Sequence, residues 1–410
     1  VYLMDFDFTE DQKLFRDSIK EFLDKEIAPD VDERDKKGPF TKEEAISYFK
    51  KFKKIGISFG LESLMELGEA MDAVSVGILG EELFRTWPSL AAVVGLSSTA
   101  ALVAFVSDET KKLIPKVEKN EVIGCLAITE PDAGSDNRSI QTTAVLDGDE
   151  YVVNGSKTWI TNGPIADVCL LIAKDEEGEL IALVVDKETS PFDTAELHKI
   201  GWKAGPTGDL FFDDCRVPKE NNLMNIAGNI SDMPEELSGL MEGVDLSKYM
   251  NLLGMGIVSL ILAPIRTGMA MGATGIAQAA LDGSIKYCRE RVQFGKPIGK
   301  FQLVQETLYN MHALTETSRL LGYRALDLFS KGSIDTRRAA SLAKCYACDA
   351  AVKVTYDAIE IHGGNGLSED YPFERYFRDA RMLTVPDGMA NIQKLIVGRE
   401  LLGKGFAAYV

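Results

Sequence analysis

The spacing of apolar residues changes twice along the 410-residue chain, and this change most constrains the fold. Apolar residues recur with the period of an α-helix from Thr9 to about Lys119, and again beyond about Leu240. Between Val122 and Pro218 the chain instead holds short β-rich runs. Helices, then strands, then helices indicate an α+β fold with segregated layers. We therefore expect three domains, covering residues 1–121 (helical), 122–240 (β) and 241–410 (helical).

The first helix has a clear start signal. Thr9 and Gln12 have the spacing of a capping box, and the apolar period that follows stops at Pro29. Further helices are predicted over Glu43–Lys54 and over Leu90–Val106. The second of these is apolar on nearly every side, so we expect it to be buried.

The central region is predicted to be a small antiparallel β-domain. Three dipeptides that favour turns punctuate its strands: Asp147-Gly148, Asn154-Gly155 and Asn162-Gly163. The predicted strands lie at 150–154, 158–161, 168–173, 180–185 and 209–213.

Charge and hydropathy exclude several classes of protein. A formal net charge of −18 argues against nucleic-acid binding, which depends on lysine and arginine. The strongly apolar stretch Leu252–Pro264 is too short to span a bilayer, so no membrane span is expected. Residues 1–10 carry three acidic side chains and no basic run, which predicts a cytoplasmic location.

Cysteine, histidine and glycine patterns do not indicate a metal or dinucleotide site. Cys345 and Cys348 could form a redox pair or half a zinc site, but two small buried residues one helical turn apart are favoured. The three histidines are far apart in sequence, so no metal is expected. Gly268, Gly272 and Gly275 follow no predicted strand, which favours close helix packing over a dinucleotide loop.

Four separated motifs carry the chemical signal. They are Ala127–Asp136 (AITEPDAGSD), Gly155–Gly163 (GSKTWITNG), Glu290–Gln302 and His362–Ala380. Each has a simpler explanation taken alone, since the first could be a turn and the second a core strand. Together, in this order and on this helix–strand–helix background, they resemble the acyl-CoA dehydrogenase family from about residue 6 to residue 405.

The resemblance implies an architecture and a set of partners. It implies an N-terminal helical domain, a central β-barrel-like domain and a C-terminal four-helix bundle. It also implies one FAD per subunit, an acyl-CoA substrate, a homo-oligomer that is usually a tetramer, and an electron-transferring flavoprotein as electron acceptor.

The resemblance also assigns residues. Arg291 corresponds to a residue that reaches the FAD pyrophosphate of a neighbouring subunit, and Glu360 stands where glutamine is common. The residues assigned to FAD are Leu126, Ile128, Thr129, Ser135, Trp159, Ile160, Thr161, Arg291, Gln302, Glu360, Gly363, Gly364, Met389 and Asn391. Those assigned to the substrate are Ser135, Arg266 and Gly388.

The resemblance places the catalytic base at Asp387, where the family usually has glutamate. Ile265 lies where some members keep their catalytic acid, and it cannot accept a proton. A carboxylate in an apolar pocket has a raised pKa and can remove a proton α to a thioester. The backbone N–H of Asp387 could also bind the thioester oxygen. The alternative is that Asp387-Gly388 is only a turn between two helices.

The predicted reaction is α,β-dehydrogenation of a short, branched or alicyclic acyl-CoA. A flavin oxidase of the same fold, similar to nitroalkane oxidases, and a non-catalytic FAD-binding member are the alternatives. Leu90 or its neighbours match a pocket floor where dicarboxylate-specific relatives carry an arginine, so glutaryl-CoA is expected to be a poor substrate. The connection Asn222–Leu262 is longer than usual and contains five methionines, which suggests either a substrate-shaping segment or an interface.

Overall fold

The computed structural model describes residues 7–57, 72–104, 106–223 and 257–406. The predicted order of helices, strands and helices is confirmed. Most of the long connection Asn222–Leu262, with all five of its methionines, lies outside the described residues. Among the described residues, no helix is long and apolar enough to cross a membrane.

The N-terminal region is built from short helices. A capping box of Thr9 and Gln12 starts the first helix, as predicted, because each residue caps a backbone N–H of the other. The helices are α1 (Glu10–Glu26), α2 (Val31–Asp35), α3 (Lys42–Lys53), α4 (Ala73–Thr86), α5 (Pro88–Ser97), α6 (Thr99–Val103) and α7 (Ile114–Val117).

The single helix predicted over Leu90–Val106 is wrong, because α5 and α6 are separate helices. The hydroxyl groups of Ser98 and Thr99 donate to the carbonyls of Gly95 and Leu96, each three residues earlier. Such local hydrogen bonds compete with the helical pattern, which accounts for the break.

The central region is one seven-stranded sheet with the order β1-β4-β2-β3-β7-β6, in which β5 pairs with β4. The sheet is mixed, so the expectation of a purely antiparallel domain is corrected. β1 pairs with β4 in parallel. The antiparallel β2–β3 hairpin lies between these two strands in sequence and returns the chain to the end of the sheet at which β1 begins. The strands are β1 (Gly124–Ala127), β2 (Thr143–Asp147), β3 (Glu150–Thr161), β4 (Val168–Lys174), β5 (Leu180–Asp186), β6 (Asp193–Glu196) and β7 (Thr207–Pro218).

One predicted turn is wrong. Asn154-Gly155 lies inside β3, where the register with β7 shifts. Gly155 has φ +143°, and a Cβ there would lie 2.7 Å from Thr142 Cα. The glycine therefore allows two backbone segments to approach closely at a bulge. Asn-Gly is favoured both at such bulges and in turns. The turns at Gly148 and Asn162 are confirmed by positive φ angles next to strand ends.

The C-terminal region centres on three long helices that pack on one another, α8, α9 and α10. Gly272 and Gly275 allow α8 to approach α4, since a Cβ on Gly275 would lie 2.1 Å from the carbonyl oxygen of Glu81. The predicted packing role of these two glycines is confirmed. The elements are α8 (Ile257–Glu290), β8 (Val292–Gln293), β9 (Lys296–Pro297), α9 (Gln302–Ser330), α10 (Thr336–His362), α11 (Gly364–Leu367), α12 (Phe373–Leu383) and α13 (Ala390–Leu402).

Two cores join these regions. The largest contains side chains of both helical regions together with Trp202 from the loop between β6 and β7. The second joins α6, β1 and β4 to the first turns of α8, and Ile128 and Ile265 pack against it. The sheet edge that carries Ile128 is thereby fixed against the helix that carries Ile265.

Candidate active site

Asp387 lies on the short loop between α12 and α13. Its backbone has a conformation that residues other than glycine rarely adopt. Its φ is +58°, and Gly388 has φ +99°. Aspartate tolerates the left-handed region better than most residues, and glycine adopts it freely. The turn anticipated from the Asp-Gly pair is therefore present, and it displays the carboxyl group between two helices.

The main chain of this loop is held by side chains from three helices. The Arg266 Nε of α8 donates to the Asp387 carbonyl oxygen at 2.8 Å. The Lys344 Nζ of α10 donates to the Gly388 carbonyl oxygen at 2.9 Å, and the Gln393 Nε2 of α13 donates to the same oxygen at 3.1 Å. The loop is consequently fixed through its backbone rather than through the Asp387 carboxyl group.

The environment of Asp387 alters its acidity. Burial raises the pKa of this carboxyl group, and the nearby cations Lys344 and Arg266 oppose the shift. A carboxyl group with a raised pKa is a stronger base once it is ionised. The site thus offers a half-buried carboxylate suited to removing a carbon-bound proton.

Sequence reasoning missed two of these residues. Arg266 is predicted to contact substrate, and the structure adds that one of its hydrogen bonds goes to the loop. Lys344 and Gln393 were not predicted at all. The sequence does contain a signal for Lys344, which is the single cation in the alanine-rich helical segment 339–347. Such a segment is expected to be buried, and a buried lysine needs hydrogen-bond or charge partners.

A second group of predicted residues lies where β1 ends beside β3. The Thr158 N–H donates to the Thr129 carbonyl oxygen at 2.9 Å. Lys157 Nζ donates to the Ile128 carbonyl oxygen at 3.0 Å and to Glu130 Oε1 at 2.7 Å. The motifs around Thr129 and Trp159, separate in sequence, are therefore adjacent.

The side chains at this junction form an apolar surface with a few polar groups. Trp159 has φ +61° and a 52% exposed side chain. Leu126 and Ile128 are half-buried, as are the hydroxyl residues Thr129 and Thr161. Ile160 is only 3% exposed and packs in the sheet core, so its backbone alone can face a ligand.

These residues fit a flavin ring, which needs an apolar wall and a few fixed hydrogen-bond donors. The exposed indole, the half-buried aliphatic side chains and the two threonines supply both. Ile128 and Ile265 pack against one core, and Ile265 precedes Arg266, which is bonded to the Asp387 carbonyl. Packing therefore links the flavin-like surface to the carboxyl group.

The other predicted cofactor residues lie on the surface, at or near helix ends except for Ser135, which lies in the loop between β1 and β2. Arg291 directly follows α8, Gln302 begins α9, and Gly363 follows α10. The Asn365 amide donates to the Tyr287 hydroxyl group at 3.2 Å, which joins the end of α8 to α11, the short helix that follows α10. All of the following are exposed: Ser135, Arg291, Gln302, Glu360, Gly363, Gly364, Met389 and Asn391.

The neighbouring cysteines of α10 lie in a packed, apolar environment. Cys345 and Cys348 lie on α10 and are both buried and free. Burial raises the pKa of both thiols, that of Cys348 to about 12. The favoured interpretation, two small buried residues, is confirmed.

This fold and site define a flavin-dependent oxidoreductase, in which the Asp387 loop and the apolar surface around Trp159 are the two candidate functional regions. The chain belongs to the acyl-CoA dehydrogenase family, whose members use FAD. The models for the N-terminal, middle and C-terminal domains of acyl-CoA dehydrogenases match residues 9–121, 125–215 and 253–402.

Similar proteins cover nearly the whole chain. A glutaryl-CoA dehydrogenase of Desulfococcus multivorans is 35% identical over 98% of this chain and 98% of its own length. A cyclohexane-1-carbonyl-CoA dehydrogenase of Syntrophus aciditrophicus (strain SB) is 35% identical over 71% of this chain and 70% of its own length.

Solved structures agree with the fold. A glutaryl-coenzyme A dehydrogenase in complex with glutaryl-CoA has a TM-score of 0.83 and 33% identity, covering 99% of this chain and 98% of that chain. An acyl-CoA dehydrogenase from Bacillus anthracis complexed with FAD has a TM-score of 0.80 and 27% identity, covering 98% of this chain and 69% of that chain.

Proposed function

We propose that this protein catalyses α,β-dehydrogenation of a short, branched or alicyclic acyl-CoA, with Asp387 removing the α-proton. The observation that carries the proposal is the half-buried Asp387 carboxyl group, whose pKa is raised by burial and whose loop is fixed by Arg266, Lys344 and Gln393. Positioned general bases accelerate proton removal by about 10²–10⁴-fold.

The remaining roles follow from the chain's own residues. Bound FAD supplies the acceptor for the hydride from the β-carbon. Trp159 and Thr161, with Leu126, Ile128 and Thr129, hold the flavin ring, with the backbone of Ile160 beside them. The Asp387 N–H binds the thioester oxygen, and Gly388 leaves room for the substrate beside it. Ser135 contacts phosphates of FAD and CoA.

The substrate class is supported by relatives and by one buried residue. The similar protein from Syntrophus is named for an alicyclic CoA ester. Leu90 is 1% exposed in the core and offers no cation to a second carboxylate. We therefore keep glutaryl-CoA as a poor substrate, although a similar protein is named for it. Arg266 borders the acyl channel through its position next to the Asp387 loop.

We further propose a homotetramer in which Arg291, Gln302, Glu360, Gly363 and Gly364 reach the FAD of a neighbouring subunit, with Met389 and Asn391 near the ring. Large apolar side chains on the C-terminal part support this, because Phe294 is 93% exposed, Leu303 77% and Leu367 70%. An electron-transferring flavoprotein is the proposed electron acceptor, and the cytoplasm is the proposed location. The domain limits remain 1–121, 122–240 and 241–410.

Anaerobic bleaching of the flavin tests the function. Butyryl-CoA, isobutyryl-CoA or cyclohexanecarbonyl-CoA should reduce the flavin of the purified protein, and glutaryl-CoA should do so at least tenfold more slowly, as for a substrate with an unpaired charge. Efficient glutaryl-CoA turnover would contradict the substrate class. Rapid oxygen consumption would support the oxidase alternative, and absence of bleaching by every ester would support a non-catalytic role.

A further inference from the structure

Side chains on one face of α10 donate hydrogen bonds to the backbone of the Asp387 loop. Lys344 Nζ donates to the carbonyl oxygens of Thr384 and Gly388, at 3.1 and 2.9 Å. The Cys348 thiol donates to the Leu383 carbonyl oxygen at 3.4 Å. The Lys344 contacts lie at the two ends of the segment 384–388, so one ammonium group closes the loop around Asp387.

Lys344 is unusual in being completely buried, with 0% of the residue exposed. Removing an ammonium group from water is costly unless its donors are used, and lysine is rarely buried without such partners. Within the described parts of the chain, both hydrogen-bond acceptors of this ammonium group are main-chain carbonyls of the loop. A buried cation in this arrangement acts on the conformation of the loop, since moving the loop would leave the cation without acceptors.

We propose that Lys344 is a positioning residue that fixes the loop of the proposed catalytic base and whose charge favours the ionised form of Asp387. The assignment rests on the proposed role of Asp387 as base. Lys344 does not touch substrate in this account, and it acts only through the loop and through its charge.

The electrostatic part of the proposal involves groups from every helix that packs on the loop. Burial lowers the pKa of Lys344, while Asp387 opposes that shift and Arg266 of α8 adds to it. Gln393 of α13 is uncharged, and the thiols of Cys345 and Cys348 have raised pKa values and stay neutral. Lys344 in turn lowers the pKa of Asp387, so loss of its charge leaves Arg266 as the remaining cation that favours the ionised carboxylate.

Two substitutions separate the hydrogen bonds from the charge. Lys344→Met removes both features in an unbranched side chain that is one atom shorter, whereas Lys344→Gln, which reaches as far as methionine, removes the charge and keeps a donor. The matched control is Lys353→Met on the same helix, where the lysine is exposed and pairs with Asp357. The FAD-loaded variants are compared with the parent by hydrogen–deuterium exchange of the peptide covering residues 383–390.

The second readout is the pH profile of flavin reduction by the fastest of butyryl-, isobutyryl- and cyclohexanecarbonyl-CoA. In Lys344→Met, exchange at 383–390 should rise at least tenfold, and the midpoint of the acidic limb should move up by about 1 pH unit or more, as for a carboxylate that loses a close cation. In Lys344→Gln, the midpoint should move similarly while exchange rises less. Lys353→Met should change neither.

Parental exchange and a parental midpoint in both Lys344 variants would overturn the proposal and show that Lys344 only fills space. If Lys344→Met does not fold, Lys344→Gln carries the same two measurements. The proposed function is tested separately. If Asp387 is not the base, Asp387→Asn will reduce flavin at the parental rate, and the exchange measurements on the Lys344 variants will still decide whether Lys344 positions the loop.

Discussion

The position of Asp387, the proposed base, is set by the backbone that carries it. The left-handed conformation of Asp387 and Gly388 turns the chain sharply between α12 and α13. Arg266, Lys344 and Gln393 hold the carbonyls of the turn and leave the carboxyl group for chemistry. In the proposed mechanism, catalysis depends on the fixed shape of this loop, so small changes in the loop should slow flavin reduction strongly.

Gly388→Ala should disturb this loop. A Cβ at Gly388 would lie 2.3 Å from Gln393 Nε2, and φ +99° is strained for any L residue. We expect flavin reduction to slow by about tenfold or more, since misplacement by about 1 Å costs up to 10²-fold. The control is Gly178→Ala, where φ is +83° and no atom lies within 4 Å of the new Cβ. Equal reduction rates in the two variants would show that the loop tolerates the change.

The proposed flavin surface around Trp159 depends on how β1 is joined to β3. The buried pair of Lys157 and Glu130 connects the two elements, and Glu130 also accepts from the backbone N–H groups of Gln141 and Thr142. Burial raises the pKa of Glu130, but these hydrogen bonds outweigh that effect and the pKa is lowered overall. One carboxylate thus orders the motif 127–136 beside Trp159.

Lys157→Met should destabilise the protein, because it leaves the nearly buried Glu130 carboxylate without its cation. Breaking a buried pair costs about 3–5 kcal/mol, whereas an exposed pair contributes about 0–1 kcal/mol. Denaturant unfolding of the FAD-loaded protein measures this free energy. Lys116→Met, which breaks an exposed pair with Glu188, is the control. A similar small loss in both variants would contradict the role of the buried pair.

Elements with strong local signals could be predicted from sequence, as the capping box at Thr9 shows. Asn154-Gly155 was misassigned because a turn and a bulge use the same residues, and only the pairing of β3 with β7 distinguishes them. Asp387 was singled out as the candidate base only through the resemblance to the acyl-CoA dehydrogenase family. Lys344 is 44 residues from its loop partner Gly388, and no local pattern records that contact.

All three regions of the chain meet at a buried polar cluster. Asp379 of α12 accepts from the Trp202 N–H of the β-region at 2.7 Å, and Asp35 of the N-terminal region faces it. Arg375 lies in the same cluster, and its Nε and Nη1 atoms make no hydrogen bond within the described parts of the chain. Burial and Asp35 raise the pKa of Asp379 to about 7. Protonation of Asp379 should therefore favour the contact between the regions.

The stability of the whole molecule should decline as Asp379 ionises. The pKa of Asp379 in the folded protein is about 7 and exceeds the ordinary value of 3.8. The protonated carboxyl group therefore stabilises the folded state fully below pH 3.8, and this contribution is lost as the pH rises through about 7. Asp379→Asn removes this titration. Between pH 5 and pH 8, the variant should lose less free energy of unfolding than the parent, by roughly 1–3 kcal/mol. Parallel pH profiles of parent and variant in thermal unfolding would contradict this assignment.

The central claim is that Asp387 removes the substrate α-proton, and Asp387→Asn tests it most directly. The variant keeps the size and turn propensity of the residue and should retain FAD and bind butyryl-, isobutyryl- or cyclohexanecarbonyl-CoA. In stopped-flow measurements its flavin should be reduced about 10²–10⁴-fold more slowly than in the parent. Asp387→Glu, which restores the family's usual carboxylate, should keep partial activity. Flavin reduction by Asp387→Asn at the parental rate would contradict the account and place the base elsewhere.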